Sequence, residues 1–111
     1  MTGLLRGLEP DVLLACAREA LVPELEAIAG EARALCPVDT GALRASIAVR
    51  MGDGASGAVA AGAPYAVCVE MGTARSAARP FLYPAFMAHR EELTERVRQA
   101  VIGCVQNGGR E

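Results

Sequence analysis

The stretch CPVDTGALRASI, Cys36–Ile47, determines the fold, because a helical pattern ends there and a strand pattern begins. Pro37 disfavours helix at the residue before it, so the upstream helix is predicted to end there. Asp39-Thr40-Gly41 is typical of a turn, because Asp bonds nearby backbone amides and Gly tolerates unusual backbone angles. The stretch therefore predicts a helix-to-strand elbow made by Pro37, Asp39, Thr40 and Gly41, which a bulky residue such as valine in place of Gly41 is expected to break.

The sequence before the elbow predicts one long helix over residues 11–35. Apolar residues recur at spacings of three and four, which places them on one face: Leu21, Leu25, Ile28, Ala32 and Leu35. Glu24 and the other glutamates lie mostly off this stripe. Pro23 is expected to kink or split the helix. Residues 1–9 are expected to form a loose lead-in or an edge strand.

The sequence after the elbow predicts three antiparallel strands and a second helix. Alternating apolar residues favour strands over 45–51, 58–61 and 65–71, with a glycine-rich hairpin loop between the first two. Pro84 can open a C-terminal helix, and residues 106–111 read as a frayed tail. The prediction is a single α+β domain over residues 1–111: an N-terminal helix kinked near Pro23, a three-stranded antiparallel sheet and a C-terminal helix.

Composition narrows the possible functions. The chain has 111 residues and a net charge of −2, and all eleven of its basic residues are arginine. Without a basic run, an electrostatic nucleic-acid binder is disfavoured. Aromatic residues make up only 4%, so the core is expected to be thin and self-association is favoured. No apolar run reaches the roughly 18 residues of a membrane span, so no membrane contact is expected.

The cysteine spacing suggests neither a metal site nor a redox motif. Four cysteines are spread along the chain without a Cys-x-x-Cys pair: Cys16, Cys36, Cys68 and Cys104. Each has apolar neighbours, so small buried thiols are expected, free in a reducing cytoplasm. No cofactor or metal is expected.

Asp39-Thr40-Gly41 also matches the tripeptide that holds the catalytic carboxylate of aspartic proteases. Two copies would have to face each other across a dimer axis, each after an apolar strand. An Ala/Glu-rich helical pattern precedes Asp39 instead, and about half of the chain reads as helix, so the protease is the least favoured reading. Thr40 and Ser46 are poor nucleophile candidates because the only histidine, His89, lies far along the C-terminal helix.

Three motifs in order carry a resemblance: CPVDTGALRASI, then YAVCVEMGT at 65–73, then PFLYPA at 80–85. The chain resembles the tailed-bacteriophage tail-component family, also described as head–tail joining or tail-completion proteins. The resemblance covers roughly residues 8–105. Cys36 and Met71 depart from the family pattern, which has Ala and Phe there.

The resemblance implies a structural virion protein without catalytic activity. It implies a homo-oligomeric ring, commonly a hexamer, in the neck between the head connector and the tail tube or its terminator, with DNA passing through the lumen unbound. The source would be a phage, a prophage or a gene-transfer particle. The protein would lie in the bacterial host cytoplasm during assembly and afterwards in the virion neck. A small protein-binding regulatory domain outside any virion stays the alternative.

Four residues are the candidate contacts with neighbouring subunits or partners. Arg75 and Arg79 lie in a polar loop over residues 72–79, which is expected to order on assembly. Glu70 could pair with Arg44 or Arg79. Asp53, in the hairpin loop, could face the lumen. The aromatic segment 81–86 is expected to anchor the C-terminal helix on the sheet, with inter-subunit contact as the alternative.

Overall fold

The computed structural model describes residues 10–37 and 41–108. The elements run in the order α1 (Pro10–Leu35), α2 (Ala42–Ala45), β1 (Ile47–Met51), β2 (Gly57–Ala61), α3 (Ala66–Met71) and α4 (Leu82–Gly108). The α+β class and the two terminal helices are confirmed. The expected lead-in over residues 1–9 and the elbow residues Asp39 and Thr40 lie outside the described residues.

The two long helices pack side by side and run antiparallel. Cys16 on α1 is joined to Cys104 on α4, and eight residues further along α1 the carboxylate of Glu24 lies 3.1 Å from the guanidinium of Arg96. Residue numbers thus rise along α1 while the numbers of their partners on α4 fall, which is the mark of an antiparallel pair. The molecule is correspondingly long, with extents of 63 × 22 × 21 Å. Its radius of gyration of 17.9 Å exceeds the ~13 Å typical of a globular chain of this length.

Strands β1 and β2 form an antiparallel hairpin whose register pairs Ile47 with Ala61 and Met51 with Gly57. Two arginines of α1 hold it along that helix. The Arg33 side chain donates to the Ile47 carbonyl (2.8 Å), and the Arg18 side chain donates to the carbonyls of Gly52 (2.5 Å) and Gly54 (2.9 Å). Because these arginines are fifteen residues apart, they span ~22 Å of helix and fix both ends of the hairpin.

The core lies at the sheet end of the helix pair. Its most buried members come from α1, from the start of β1 and from the beginning of α4 with the residue before it. Each of them is at most 2% exposed: Ile28, Ala29, Ala32, Ile47, Phe81 and Ala85. Leu43 of α2, which follows the elbow, also belongs to this core. Gly41, with φ +84°, starts α2 in the left-handed region that favours glycine, which agrees with the predicted turn.

The predicted third strand is wrong: residues 66–71 form helix α3, so the described sheet has two strands. The alternation of Val67, Val69 and Met71 favours a strand, but an apolar run this short does not distinguish a strand from a helix. In the helix, Ala66 is buried while Val67 and Met71, four residues apart, face solvent. Gly72, with φ +79°, ends the helix, and packing overrides the strand preference of valine.

The helix boundaries also differ from the prediction. Helix α1 is continuous through Pro23, so the expected split is absent; the proline ring lies on the exposed side. Glu24, expected off the apolar stripe, is buried at 4% exposure. Helix α4 begins two residues before Pro84 and continues to Gly108, into the predicted tail.

The prediction of four free buried thiols is wrong for three cysteines. Cys16 and Cys104 form a disulfide, with Cα atoms 6.4 Å apart. Cys68 is free but exposed, whereas Cys36 is free and buried as expected. The bond was missed because the two residues are 88 positions apart, and only the antiparallel packing of the helices brings them together.

Candidate assembly surface

Glu70 holds the start of helix α4. Its carboxylate accepts hydrogen bonds from the backbone N–H groups of Phe81 (2.9 Å), Leu82 (2.9 Å) and Tyr83 (3.1 Å). The first N–H groups of a helix have no partner within the helix, and a negative charge at this end is favourable. A side chain of α3 therefore provides the N-terminal cap of α4 from eleven residues upstream.

The electrostatics of this cap favour the charged carboxylate. Partial burial raises the pKa of Glu70, but the hydrogen bonds from Phe81, Leu82 and Tyr83 together outweigh it and lower the pKa below its ordinary value of 4.5. Glu70 is thus ionised near neutral pH. The ion pair expected with either Arg44 or Arg79 is not found among the described residues, where Glu70 bonds backbone N–H groups instead. The Arg44 side chain donates instead to the Arg33 carbonyl, at 3.2 Å.

The loop over residues 72–79 is built by Gly72 and Thr73. A Cβ atom on Gly72 would lie 2.7 Å from the backbone nitrogen of Ala78, so the loop closes directly against this glycine. The Thr73 hydroxyl accepts from the N–H groups of Arg75 (3.2 Å) and Ser76 (3.1 Å). The N–H of Arg79 returns to the Val69 carbonyl at 2.8 Å, which fixes the loop on α3.

The four candidate contact residues are therefore spread over two regions. Arg75 and Arg79 have exposed side chains in the loop that follows α3, and Glu70 lies half-buried beneath it. Asp53 is exposed in the hairpin loop, where its carbonyl accepts from the Ser56 hydroxyl at 2.7 Å. The structure brings Glu70, Arg75 and Arg79 to one end of the molecule, and Asp53 lies apart beside Arg18.

Residues from the first two motifs, together with the residue before the third, line one depression of about 230 Å³. Pro37 comes from the elbow, Tyr65 and Thr73 from the second motif, and Arg79 from the residue before the third. The elbow and the α3 loop are therefore neighbours in space. The elbow, α3 and the loop that follows α3 form one structural unit at this end of the molecule.

Exposed apolar side chains surround this unit. Val67 and Met71, which we call the α3 face, are 71% and 74% exposed. Tyr83 and Phe86 at the start of α4 are 65% and 44% exposed, whereas Phe81 is fully buried. The aromatic segment predicted to anchor α4 therefore has two parts. Phe81 belongs to the core, whereas Tyr83 and Phe86 are available for contact with another protein. Clustered exposed apolar side chains mark interaction sites in soluble proteins.

Tyr83 and Phe86 also line an apolar groove of about 340 Å³ between β2 and α4. Its other lining residues are Leu25, Ile28, Gly57, Ala58, Val59 and Leu82. Strand β2 pairs only with β1 among the described residues, and Gly57, Ala58 and Val59 of this strand line the groove. No sequence pattern predicts the groove, because residues of three separate elements, α1, β2 and α4, form it.

Among the described residues, exposed apolar side chains that could contact another protein are more evident than a metal-binding site. Within residues 10–37 and 41–108, no group of three or more His, Cys, Asp or Glu side chains could hold a metal ion. Nor does any helix in that part of the chain combine the length and apolar character of a membrane span. The structure is that of a small, elongated α+β protein with apolar side chains concentrated around α3 and the start of α4.

Comparison with known proteins identifies its family. Residues 11–72 match the family described as "Bacteriophage HK97-gp10, putative tail-component", and the chain belongs to this family. The match includes the elbow, the hairpin and α3 as far as Gly72. Neither the comparison with curated proteins nor that with solved structures found a match.

Membership in a family of phage tail components supports a structural role in a phage and suggests a location in the virion. It favours a protein without enzymatic activity. The protease reading gains no support from the fold, because helix α1 precedes the tripeptide where an apolar strand would be required. Asp39 and Thr40 themselves lie outside the described residues.

Proposed function

We propose that the protein is a neck component of a tailed phage or of a related prophage or gene-transfer particle. Copies of the chain would form a ring that joins the head connector to the tail tube or its terminator. The family match over residues 11–72 carries this proposal. The exposed apolar side chains at the sheet end support it, because they give the chain surfaces for lasting contacts.

Two different apolar surfaces on one chain favour a ring. The α3 face projects from the short helix, whereas the apolar groove is a concave surface between β2 and α4. A contact between unlike surfaces of identical chains repeats head to tail, and it closes into a ring when the rotation allows. The hexamer is the ring size that we propose, following the resemblance to neck proteins.

Three polar residues, Arg75, Arg79 and Asp53, are proposed to act in the same ring. Arg75 and Arg79 are exposed beside the α3 face and can donate hydrogen bonds to a neighbouring subunit or neck partner. Asp53, in the exposed hairpin loop, is proposed to face the lumen. With a net charge of −2, such a ring would let DNA pass without gripping it.

Electron microscopy of the purified protein, alone and mixed with tails from a phage that lacks the gene, tests the proposal. Rings or caps at the head-proximal end of the tail are expected. Sedimentation would give the number of copies in each ring. Adding the protein to heads and tails from the same deletion phage is expected to restore joined particles.

Two variants separate the assembly surface from the fold. Met71→Glu places a charge on the α3 face, where 74% exposure means that folding is little affected, and it should abolish rings and caps. Ile102→Glu makes the same kind of change at a 38% exposed position near the opposite end of α4, and it should leave them intact. Rings that survive Met71→Glu would contradict the role of the α3 face. A monomer inert to tails would contradict the neck proposal and favour the regulatory alternative.

A further inference from the structure

The disulfide lies at the end of the helix pair that is remote from the core, and there only the hairpin loop of the sheet reaches α1, through the bonds from Arg18 to Gly52 and Gly54. Cys16 is in the second turn of α1, and Cys104 is near the end of α4. The sheet-end core begins at Leu25 on α1 and includes Ala85 as its last buried residue along the chain. We call the part of the helix pair over residues 10–20 and 97–106 the tip.

The tip contains little buried apolar surface. Among the described residues, Ala17 is its one buried member, and no residue of α4 after Ala85 is buried. Leu14 and Ile102 are 47% and 38% exposed there. Regions with few buried apolar contacts open at a lower free energy than the core. The Arg18 side chain still ties the α1 side of the tip to the hairpin loop. Without the disulfide, the α4 side of the tip would therefore be the part of the helix pair that separates first.

The disulfide is open to reagents in solution. Cys16 and Cys104 are both half-buried and line an open depression of about 410 Å³. Its other lining residues are mostly small: Ala20, Ala100, Gly103 and the exposed Glu19. Thiol–disulfide exchange requires access of the attacking sulfur, which small neighbouring side chains permit.

We infer that Cys16 and Cys104 form a redox latch that fixes the tip of the helix pair. In a reducing medium both are thiols and the tip opens; in an oxidising medium the disulfide holds α1 and α4 together. A disulfide limits opening more strongly when it closes a long segment, and this one joins residues 88 positions apart.

The exchange balances with a low-mass disulfide such as oxidised glutathione. One protein thiolate attacks a glutathione sulfur, forms a mixed disulfide and releases one glutathione thiolate. The second protein thiolate then attacks the protein sulfur of that mixed bond and releases the second glutathione. Two electrons pass to glutathione, and the two protein thiol protons end on the two glutathione thiols. Reduction is the reverse sequence.

The other two cysteines are poorly placed to compete. Cys36 is buried in the sheet-end core, and Cys68 is exposed on α3, away from the tip. The latch itself depends only on the chain. Its timing rests on the proposed function: the dithiol would be present in the host cytoplasm during assembly, and the disulfide would form in the released particle.

Hydrogen exchange of the full chain with dithiothreitol and with oxidised glutathione tests the latch. Tip amides are expected to exchange about tenfold or more faster in the reduced protein, whereas the amides of residues 25–35 and 84–89 should change little. Mass spectrometry of the oxidised protein should find the Cys16–Cys104 cross-link. Cys104→Ser should exchange like the reduced protein in both media, and Cys68→Ser should behave as wild type.

Equal tip exchange in the two media would overturn the inference. So would Cys16 and Cys104 thiols that remain open to alkylation after oxidised glutathione, or an intermolecular Cys68 bond as the main product. These readouts do not depend on ring formation. The latch can therefore fail while the neck proposal stands, and the reverse is also possible.

Discussion

Replacing Glu70 with glutamine tests whether one carboxylate joins α3 to the start of α4. The variant keeps the size of the side chain and removes its charge. One amide oxygen remains to accept from the N–H groups of Phe81, Leu82 and Tyr83, where the carboxylate offers two oxygens. Glu70→Ala removes every acceptor and leaves those N–H groups without this partner, although Phe81 is fully buried.

The expected losses of stability follow from the geometry. Losing the charge at a helix N-terminus and part of the bonding should cost about 1 kcal/mol at pH 7, and losing the whole cap about 2 kcal/mol. For a domain of this size, 1 kcal/mol corresponds to about 4 °C in Tm. Glu91→Gln is the matched control, because it removes the same charge from an exposed site on α4, and it should change the free energy of unfolding by at most a few tenths of a kcal/mol.

The pH dependence gives an independent check. Because folding lowers the pKa of Glu70 below its ordinary value of 4.5, the stabilisation is fully present above that value. It is lost as the pH falls through the lower pKa of the folded state. The difference in stability between wild type and Glu70→Gln should therefore be constant between pH 6 and 8 and shrink in acid, below about pH 4.5.

Urea unfolding followed by circular dichroism from pH 3 to pH 8 measures all three variants. A Glu70→Gln protein as stable as wild type at pH 7 would refute the cap. An equal loss at pH 3 and at pH 7 would show that packing, and not the charged hydrogen bonds, accounts for the effect. Either result would remove the energetic link that we draw between the second and third motifs.

Two further substitutions test neighbouring contacts. Gly72→Ala should destabilise the protein by about 2 kcal/mol or more, because φ is +79° and the added Cβ would lie 2.7 Å from Ala78 N. Gly30→Ala, with nothing within 4 Å of its Cβ, should instead stabilise α1 by about 0.5–1 kcal/mol. Thermal melts measure both variants, and equal Tm values for the two would contradict the reasoning. Arg96→Met leaves the buried Glu24 without its ion pair and should cost about 1–2 kcal/mol, part of which Glu24→Gln should restore in a double-mutant cycle.

Sequence reasoning succeeded where a pattern was long or local. The stripe from Leu21 to Leu35 is long enough to predict a helix, and Gly41 has the positive φ that a turn glycine suggests. The hairpin was predictable because its glycine-rich loop separates two strand patterns. The segment around Val67 is too short for its apolar period to distinguish a strand from a helix, so the predicted third strand was wrong.

The candidate site was harder to predict because its roles depend on distant partners. Glu70 was identified as a candidate, but its partners are backbone N–H groups, which no pattern of side-chain letters can reveal. Likewise, Glu24 lies off the apolar stripe but is buried, and its ion-pair partner, Arg96, lies on the other long helix. Cys16 and Cys104 needed the antiparallel order of α1 and α4 before they could be paired.

The motifs that carried the family resemblance are explained in large part by these internal bonds. Glu70 of the second motif caps the helix that begins inside the third, and Gly72 and Thr73 shape the loop between them. Motif residues with such roles maintain the fold, and the partner contacts are then expected on the motif side chains that stay exposed. Val67 and Tyr83 are of this kind, since their side chains are 71% and 65% exposed. Specificity for a neighbouring subunit is therefore expected to reside in these exposed positions more than in the buried and capping residues of the motifs.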